Sequence, residues 1–583
     1  MKKVKKVIAE AVALLMMVSM IAGCGSTDSP TGGTESAAVE SETTKSEDST
    51  TTVDPNESID PLGKLPELVT LTRGAWIDTN ITYPEGQSFG DDAYIRMLEE
   101  QFNIKLENAF EGGSGNLSEK VDLAIASGEL PDFLVGLSYT QYKAALKAGL
   151  LMDISQVWDT YASDVTKEVY DNKKELFDGL VTQDGGMYAI PSSNPEADFL
   201  SVMWIRQDWL DNLDLSVPTN LEELEAVAIA FATQDPDGNG ADDTVGIVGP
   251  STNGRLYQDM SGSNFSFHFD QIFATYNSFP GIWVDDGNGN AVYGSILPET
   301  REALEKIASM YQNGAISQGM LTSETYELIA SNKGGIFFGC WWEPFANIGN
   351  SWNNDNSVNW QPYSLASGDN GIYMAKGGNP AQVYTVISKD CKNPEAVIIM
   401  LNIFKDNLSN YVSEEDRNTL GDGLYPMYMT FGTDEGFFLL YEALDAYYNG
   451  KTVDEVHAML IENNQDVYTF DNIISCKTEP YSDNSINGFD FTGDKAGQYG
   501  TAYSFAVGAG PFVESNYEFV YTLTYEKTKT MEQRWSNLSD LEYTTFSKII
   551  MGEEPISAFD DFVTKWLKEG GETITAEIQD SLK

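Results

Sequence analysis

Between Leu68 and Gly136 the apolar residues switch back and forth between two periods, and this switching restricts the available folds more than any other feature. Leu68-Val69-Thr70-Leu71-Thr72 alternates like a strand, and Asp92 to Phe102 then puts Tyr94, Ile95, Leu98 and Phe102 on one helical stripe. Ile104-Lys105-Leu106-Glu107 reads as a second strand, Ser118 to Ala126 as a helix, and Asp132-Phe133-Leu134-Val135-Gly136 as a short buried strand. Strands alternating with helices predict α/β layers with a largely parallel sheet. Another helix begins at Pro218-Thr219-Asn220-Leu221-Glu222, where Thr219 caps the free amides and Glu222 reaches back. Its apolar face is Leu221, Leu224, Val227, Ala228 and Phe231; further helices are predicted over 299–312, 393–405 and 540–568, the last with Phe559, Phe562, Val563 and Trp566 at core spacing. A chain of 583 residues exceeds what one core organises, so two lobes are the default.

The N-terminus, MKKVKKVIAEAVALLMMVSMIAGCGS, has another character. Lys2, Lys3, Lys5 and Lys6 precede an apolar run from Ala11 to Ala22, which is short for a membrane span and flanked like a signal peptide. The run ends in Ile21-Ala22-Gly23-Cys24, which resembles a bacterial lipobox, so 1–23 is expected to be removed and Cys24 lipidated. Each buried methylene contributes ~0.8 kcal/mol, so two or more acyl chains hold a protein where one does not. From Gly25 to about Gly63 the chain is Ser, Thr, Glu, Gly and Pro with almost no large apolar residue. It cannot bury enough surface to offset its ordering entropy, and residues 24–66 are expected to be the lipidated cysteine and a disordered tether. The expected location is the extracellular face of the bacterial cell membrane. No other apolar run is long enough to span a bilayer.

The charge excludes some partners. Against 35 Lys+Arg stand 89 Asp+Glu, a formal net charge of -54. Such a surface repels phosphate backbones, which excludes nucleic acid, and opposes a polyanionic substrate unless basic residues cluster locally. The same acidity keeps an exported chain soluble. The four cysteines, Cys24, Cys340, Cys391 and Cys476, form no CxxC pair, and with Cys24 consumed they allow at most one disulfide. His268 and His457 are far apart in sequence and give poor support for a His-dependent triad or a His-rich metal site. There is no G-x-S-x-G elbow and no sign of a redox or nucleotide cofactor.

Several segments, in order, resemble the family 1 extracellular solute-binding proteins, particularly LipO-like lipoproteins and alginate-oligosaccharide-binding proteins. They are Ala124-Ile-Ala-Ser-Gly-Glu-Leu-Pro-Asp132, Asp184-Gly-Gly-Met-Tyr-Ala-Ile-Pro191, and Trp204-Ile-Arg-Gln-Asp-Trp-Leu-Asp211 running on to Gly240. Later come Gly335-Ile-Phe-Phe-Gly-Cys-Trp-Trp342, Ile387-Ser-Lys-Asp-Cys-Lys-Asn-Pro-Glu-Ala396, and Thr528 through Gly552 to Phe562. The resemblance implies a bilobal fold, two α/β lobes joined by crossing hinge strands with a ligand cleft between them. It puts one lobe at 67–192 plus 381–500 and the other at 193–380 plus 501–583. It implies a monomer, not an enzyme, that captures an oligosaccharide and presents it to the permease subunits of an ABC importer. Binding and lobe closure would then be one coupled equilibrium. The alternatives are the same fold holding a peptide or other polar nutrient, an exported glycoside hydrolase, or a sensor subunit.

A sugar ring packs its C–H face on an indole while its hydroxyls seek polar neighbours. Trp341 and Trp342 follow a buried-looking strand and look like the tryptophan segment that stacks on sugar in maltose-type relatives, without a choice between the two. Glu343 either accepts hydroxyl bonds or only ends the strand. Trp76, with Asp78 and Asn80 beside it, follows the first strand, where open α/β sheets bind ligands. Tyr188 and Trp283 complete the ligand candidates, Trp352 and Trp360 are weaker ones, and each of these fits a packing role equally. Trp204 and Trp209 read as core, with Arg206 in an ion pair.

The loop Asp235-Pro-Asp-Gly-Asn-Gly-Ala-Asp-Asp243 has the spacing of a calcium loop, with Gly240 at its sixth position. Its ligands would be Asp235, Asp237, Asn239, the Ala241 carbonyl and Asp243, holding a structural Ca2+ ion. The twelfth position is Gly246 where such loops carry a bidentate Glu, so coordination is incomplete unless Thr244, water or distant groups help. The alternative is an Asp/Gly turn without metal.

Overall fold

The computed structural model describes residues 60–77, 83–251, 254–260, 266–322, 325–365, 367, 371–406, 408–463, 465, 467–476 and 496–582. Cys24 and most of the expected tether lie outside these residues. Ordered packing begins earlier than the expected boundary at 67: Leu62 and Leu65 pack on a core, and Asn402 Nδ2 donates to the Pro61 carbonyl at 2.8 Å. Among the described residues no helix is long and apolar enough to cross a membrane.

The protein has two α/β lobes. The first is built on a five-stranded sheet in the order Ile104–Gly112, Val69–Trp76, Phe133–Leu137, Tyr384–Ile387, Ile190–Pro191. Its first three strands are parallel, and the two at the other edge are antiparallel to their neighbours. The expected strand–helix alternation is present. Asp92 caps helix Ala93–Phe102 by accepting from the Tyr94 and Ile95 amides at 3.0 and 3.1 Å, and the helix buries Tyr94, Ile95, Met97, Leu98 and Phe102. At Gly74 the register shifts, and a Cβ there would lie 2.5 Å from the Phe110 ring, so only glycine fits.

The second lobe departs from the expected parallel pattern. Its sheet runs Trp360–Tyr363, Val202–Arg206, Gly334–Gly339, Val245–Ile247, and only the last pairing is parallel. The helix expected after Pro218 is Leu221–Thr233, with its cap one residue later than predicted. Asn220 Oδ1 accepts from the Glu223 amide at 2.9 Å, and the Glu223 carboxylate reaches back to the Thr219 amide and hydroxyl. All five predicted face residues are buried. The single helix expected over 540–568 is two, Lys529–Met551 and Ala558–Trp566, because Gly552 at φ 77 ends the first in the left-handed region.

Two large cores follow the two sheets. One gathers residues from 71–190 and 381–431. The other joins 203–365 to the C-terminal helices through Phe546, Phe559, Phe562 and Trp566. A third packs Phe437, Tyr503, Val507 and Phe512 onto Trp204, Phe337, Trp341 and Trp352. Between the sheets three segments run side by side: Ser192 N donates to Val383 O and Ser193 N to Thr430 O, both at 2.8 Å. The strand Tyr373–Lys376, paired in parallel with Tyr517–Val520, leads through Gly377 and Gly378 into this crossing.

Candidate ligand site

The strand Gly334–Gly339 is buried along its whole length and carries Trp341 into the third core. Trp341 is 7% exposed, with ring centroids 5.0 Å from Phe437 and 4.7 Å from Phe505. Its indole Nε1 donates to Asp198 Oδ1 at 3.1 Å, so it orients a carboxylate on the crossing segment. Trp342 is half-buried at the edge of the same core. Glu343 is fully buried, bonded by the Ser266 hydroxyl and by Asn347 Nδ2 at 2.6 Å, and burial pushes its carboxyl up to about 7. Both its oxygens are occupied inside the lobe, which makes it an anchor for this turn rather than an acceptor for hydroxyls.

The other described candidates sit on other elements. Trp76 ends its strand 41% exposed, and Tyr188 is half-buried against the first core. Asp78 and Asn80 lie outside the described residues. Trp283 corrects an expectation. It is fully buried, with ring centroids 4.4 Å from Tyr293 and 5.3 Å from Trp535, and donates from Nε1 to Thr575 Oγ1 at 3.0 Å. It has no face left for a ligand. Trp352 and Trp360 are likewise buried, with indoles bonded to the Val358 carbonyl and the Ser351 hydroxyl. Trp204 and Trp209 are core, and Arg206 pairs with Asp208 at 2.6 Å, as the sequence predicts.

Acids surround the crossing. Burial pushes the Asp198 carboxyl up, against the pull of the Trp341 indole. Asp434 Oδ1 accepts from the Ala197 amide at 3.1 Å, and Glu196 accepts from the Tyr521 hydroxyl. Lys173 is the cation among them, and its ammonium donates to the Asn194 carbonyl at 2.5 Å.

A pocket that the sequence did not reveal lies in the second lobe, between the loop after Val245–Ile247 and helix Lys529–Met551. Arg255, Asp259, Trp535, Ser539 and Tyr543 are among its lining residues. At its floor Glu542 is buried, held by the Tyr257 hydroxyl and by Tyr293 Oη at 2.9 Å.

The fold and this geometry leave the kinship to be decided, and a family description does so: the bacterial extracellular solute-binding protein matches residues 88–402. The chain belongs to that family. This solute-binding protein is 24% identical over 84% of its length to a polygalacturonan/rhamnogalacturonan-binding protein of Bacillus subtilis, 88% of which is covered. Among solved structures, a solute-binding protein of Bifidobacterium longum infantis described as HMO-binding and ABC-transporter-associated superposes with a TM-score of 0.60 at 16% identity, over 88% of this chain and 98% of that one. An EF-hand mutant of the Streptococcus pneumoniae ABC-transporter substrate-binding protein FusA, in complex with fructo-nystose, gives 0.52 at 18% identity, over 88% and 98%.

The predicted calcium loop of this solute-binding protein is exposed and turns on Asp235 at φ 48, Gly238 at φ 67 and Gly240 at φ 79. Asp235 Oδ2 accepts from the Gly240 amide at 3.1 Å, and Asn239 Nδ2 donates to Asp237 Oδ2 at 2.8 Å and to Asp243 Oδ1 at 3.2 Å. Among the described residues no three acids are drawn together into a metal cluster. The donor set still suits a hard cation. Desolvation raises the Asp237 carboxyl, and the neighbouring Asp243 and Asp235 add to it, a repulsion that a cation relieves. Thr244 turns away from the exposed loop, its buried hydroxyl donating to the Phe231 carbonyl at 2.7 Å. Gly246 cannot become the missing Glu, because a Cβ there would lie 2.3 Å from the Ala228 carbonyl.

Proposed function

We propose that this protein captures an oligosaccharide between its two lobes and hands it to the permease of an ABC importer. The observation that carries this reading is membership of the extracellular solute-binding family together with two lobes joined by three segments, 192–201, 376–383 and 430–434. Relatives whose names specify glycans support it. The protein binds without turning over its ligand and acts as a monomer.

The first lobe comprises 61–192 plus 381 to about 431, since Leu62 and Leu65 already pack on its core. The second comprises, of the described residues, 193–380, 434–476 and 496–582, since Phe437, Tyr503 and Phe512 pack on Trp204 and Trp341. This partition moves 434–476 and 496–500 from the first lobe to the second. Residues 1–23 direct export, Cys24 carries the lipid, and the Ser/Thr-rich stretch after it is the leash. Asp235, Asp237, Asn239, the Ala241 carbonyl and Asp243 hold a structural Ca2+ ion that steadies the loop. Trp342, Tyr188 and Trp76 are the described aromatic candidates that stay partly exposed to solvent.

Thermal-shift titration against neutral and acidic oligosaccharides tests the reading. A ligand raises the melting temperature with the logarithm of its concentration above Kd. A response to peptides with none to any glycan would reject it.

A further inference from the structure

We propose that Asp198 is a ligand contact at the crossing between the lobes, an acceptor for hydroxyls of one sugar ring, and that Trp341 positions it; the assignment rests on the oligosaccharide reading above. Its place in the fold is the first reason. Asp198 lies in the 3-10 helix Glu196–Phe199, within the 192–201 segment that joins the lobes. The 430–434 segment runs beside it, since the Ala197 amide donates to Asp434 Oδ1 at 3.1 Å. From the second lobe the Trp341 indole reaches its carboxylate at 3.1 Å, and the Cys340 thiol donates to its carbonyl at 3.6 Å. From the first lobe Tyr428 lies within range of its charge: burial, then Asp422 and Asp198, push the Tyr428 hydroxyl up. One carboxylate thus stands where both lobes meet the same guest.

The second reason is spare bonding capacity. Asp198 is half-buried, and the Trp341 indole occupies Oδ1. Among the described residues no group donates to Oδ2, and that oxygen is not sealed in the interior. A partly desolvated carboxylate oxygen without a donor is unfavourable, and sugar hydroxyls supply donors. The charged groups that act on Asp198 leave it so. Lys173 attracts it but donates to the Asn194 carbonyl at 2.5 Å, and Asp434 repels it. Glu196 is held by the Tyr521 hydroxyl, and Glu343 is bonded through both oxygens.

The third reason is ring surface on either side. The turn that carries Trp341 also carries Trp342, half-buried, and Phe345, 65% exposed. Its backbone is fixed, with the Phe345 amide on the Trp342 carbonyl and the Ala346 amide on the Glu343 carbonyl, both at 3.0 Å. On the first lobe Tyr428 is 47% exposed and rests edge-on against Phe404 at 5.7 Å. The C–H face of a sugar packs on such rings, and an acceptor set near them takes the hydroxyls at its rim. A guest held in this way favours the closed arrangement of the lobes.

Calorimetric titration of the full-length protein in detergent tests the assignment, with kestose, maltotriose, xylotriose and trigalacturonate as probes, followed by monodeoxy analogues of the probe that binds. Asp198→Asn keeps an acceptor for Trp341 but turns a donor toward the ligand, and is expected to weaken that probe about tenfold or more. Asp198→Ser repeats the test if the first variant fails to fold. One monodeoxy analogue is expected to bind the native protein about tenfold more weakly than its parent, and to bind Asp198→Asn as well as the parent does. Trp341→Phe keeps a ring against Phe437 and Phe505, and is expected to weaken the probe on the native background while adding nothing to Asp198→Asn. A probe bound equally by the native protein and the Asp198 variants, or deoxy losses that all add in full to that of Asp198→Asn, overturns the contact and leaves the oligosaccharide reading intact. Losses from Trp341→Phe and Asp198→Asn that add in full overturn the positioning role. No binding of any probe removes that reading and the contact with it.

Discussion

Lys143 Nζ lies 3.0 Å from Glu526 Oε1, and this ion pair ties a helix of the first lobe to the loop that precedes helix Lys529–Met551 in the second. The same carboxylate accepts the Tyr139 hydroxyl at 2.6 Å. Both charged side chains are about half exposed, so the pair contributes little to global stability, roughly 0–1 kcal/mol. That is still enough to bias two lobe arrangements separated by a few kcal/mol. Glu526→Gln is expected to leave the melting temperature nearly unchanged while small-angle scattering of the unliganded protein shows a larger radius of gyration.

Asp270 and Lys376 form a different kind of pair, buried beside the hinge at 2.6 Å, with His268 Nδ1 at 3.0 Å on the other carboxylate oxygen. Burial alone would push the Asp270 carboxyl up, but the charges of Lys376 and His268 bring it down to about 2. A carboxyl depressed on folding contributes stability above its unfolded value of about 3.9, and that contribution is lost as pH falls through the folded value. Acid unfolding followed by circular dichroism is expected to include a component between about pH 4 and pH 2. Lys376→Met leaves the buried carboxylate with the His268 ring and the Gln258 amide but without its lysine, and is expected to cost about 3 kcal/mol in denaturant unfolding.

Glu343 has the opposite sign. Its carboxyl is raised to about 7, so above the unfolded value of about 4.3 the unfolded chain releases a proton that the folded one keeps. Stability from this group falls as pH rises from about 4.3 to about 7 and is level beyond. Melting curves of Glu343→Gln and the native protein are expected to draw relatively closer, or to cross in favour of the variant, as pH goes from 4.5 to 7.5. A constant difference over that interval contradicts the assignment.

The Asp235–Asp243 loop is tested by metal. Calcium added to chelator-treated protein is expected to raise the melting temperature, by an amount equivalent to about 2.7 kcal/mol at a hundredfold excess over Kd. Asp237→Asn, which removes a donor charge and also the repulsion, is expected to abolish the calcium response.

Local features were the readable ones. The stripe Tyr94, Ile95, Leu98, Phe102 and its Asp92 cap are settled within eleven residues, and the helix forms as its period predicts. Thr219 and Glu222 missed the cap by one place because Asn220 is an equally good capping residue one position on. The second sheet was not legible because Val202–Arg206 pairs with Gly334–Gly339 on one side and Trp360–Tyr363 on the other, each more than a hundred residues away. Trp283 shows the same limit. It stands in a short apolar run, Ile282-Trp283-Val284, that does not say which way the ring faces, and it is buried by Trp535, Trp566 and Thr575 from the far end of the chain. The pocket was unreadable for that reason too, since Arg255 and Asp259 meet Trp535 and Tyr543 only in the folded lobe.

Small-angle X-ray scattering of the full-length protein in detergent, with and without a saturating neutral oligosaccharide identified by thermal shift, addresses ligand capture by two closing lobes most directly. The radius of gyration is expected to contract on binding, with the contraction titrating at the calorimetric Kd. Scattering curves that superpose at full saturation would mean that the sugar binds without bringing the lobes together, which contradicts it.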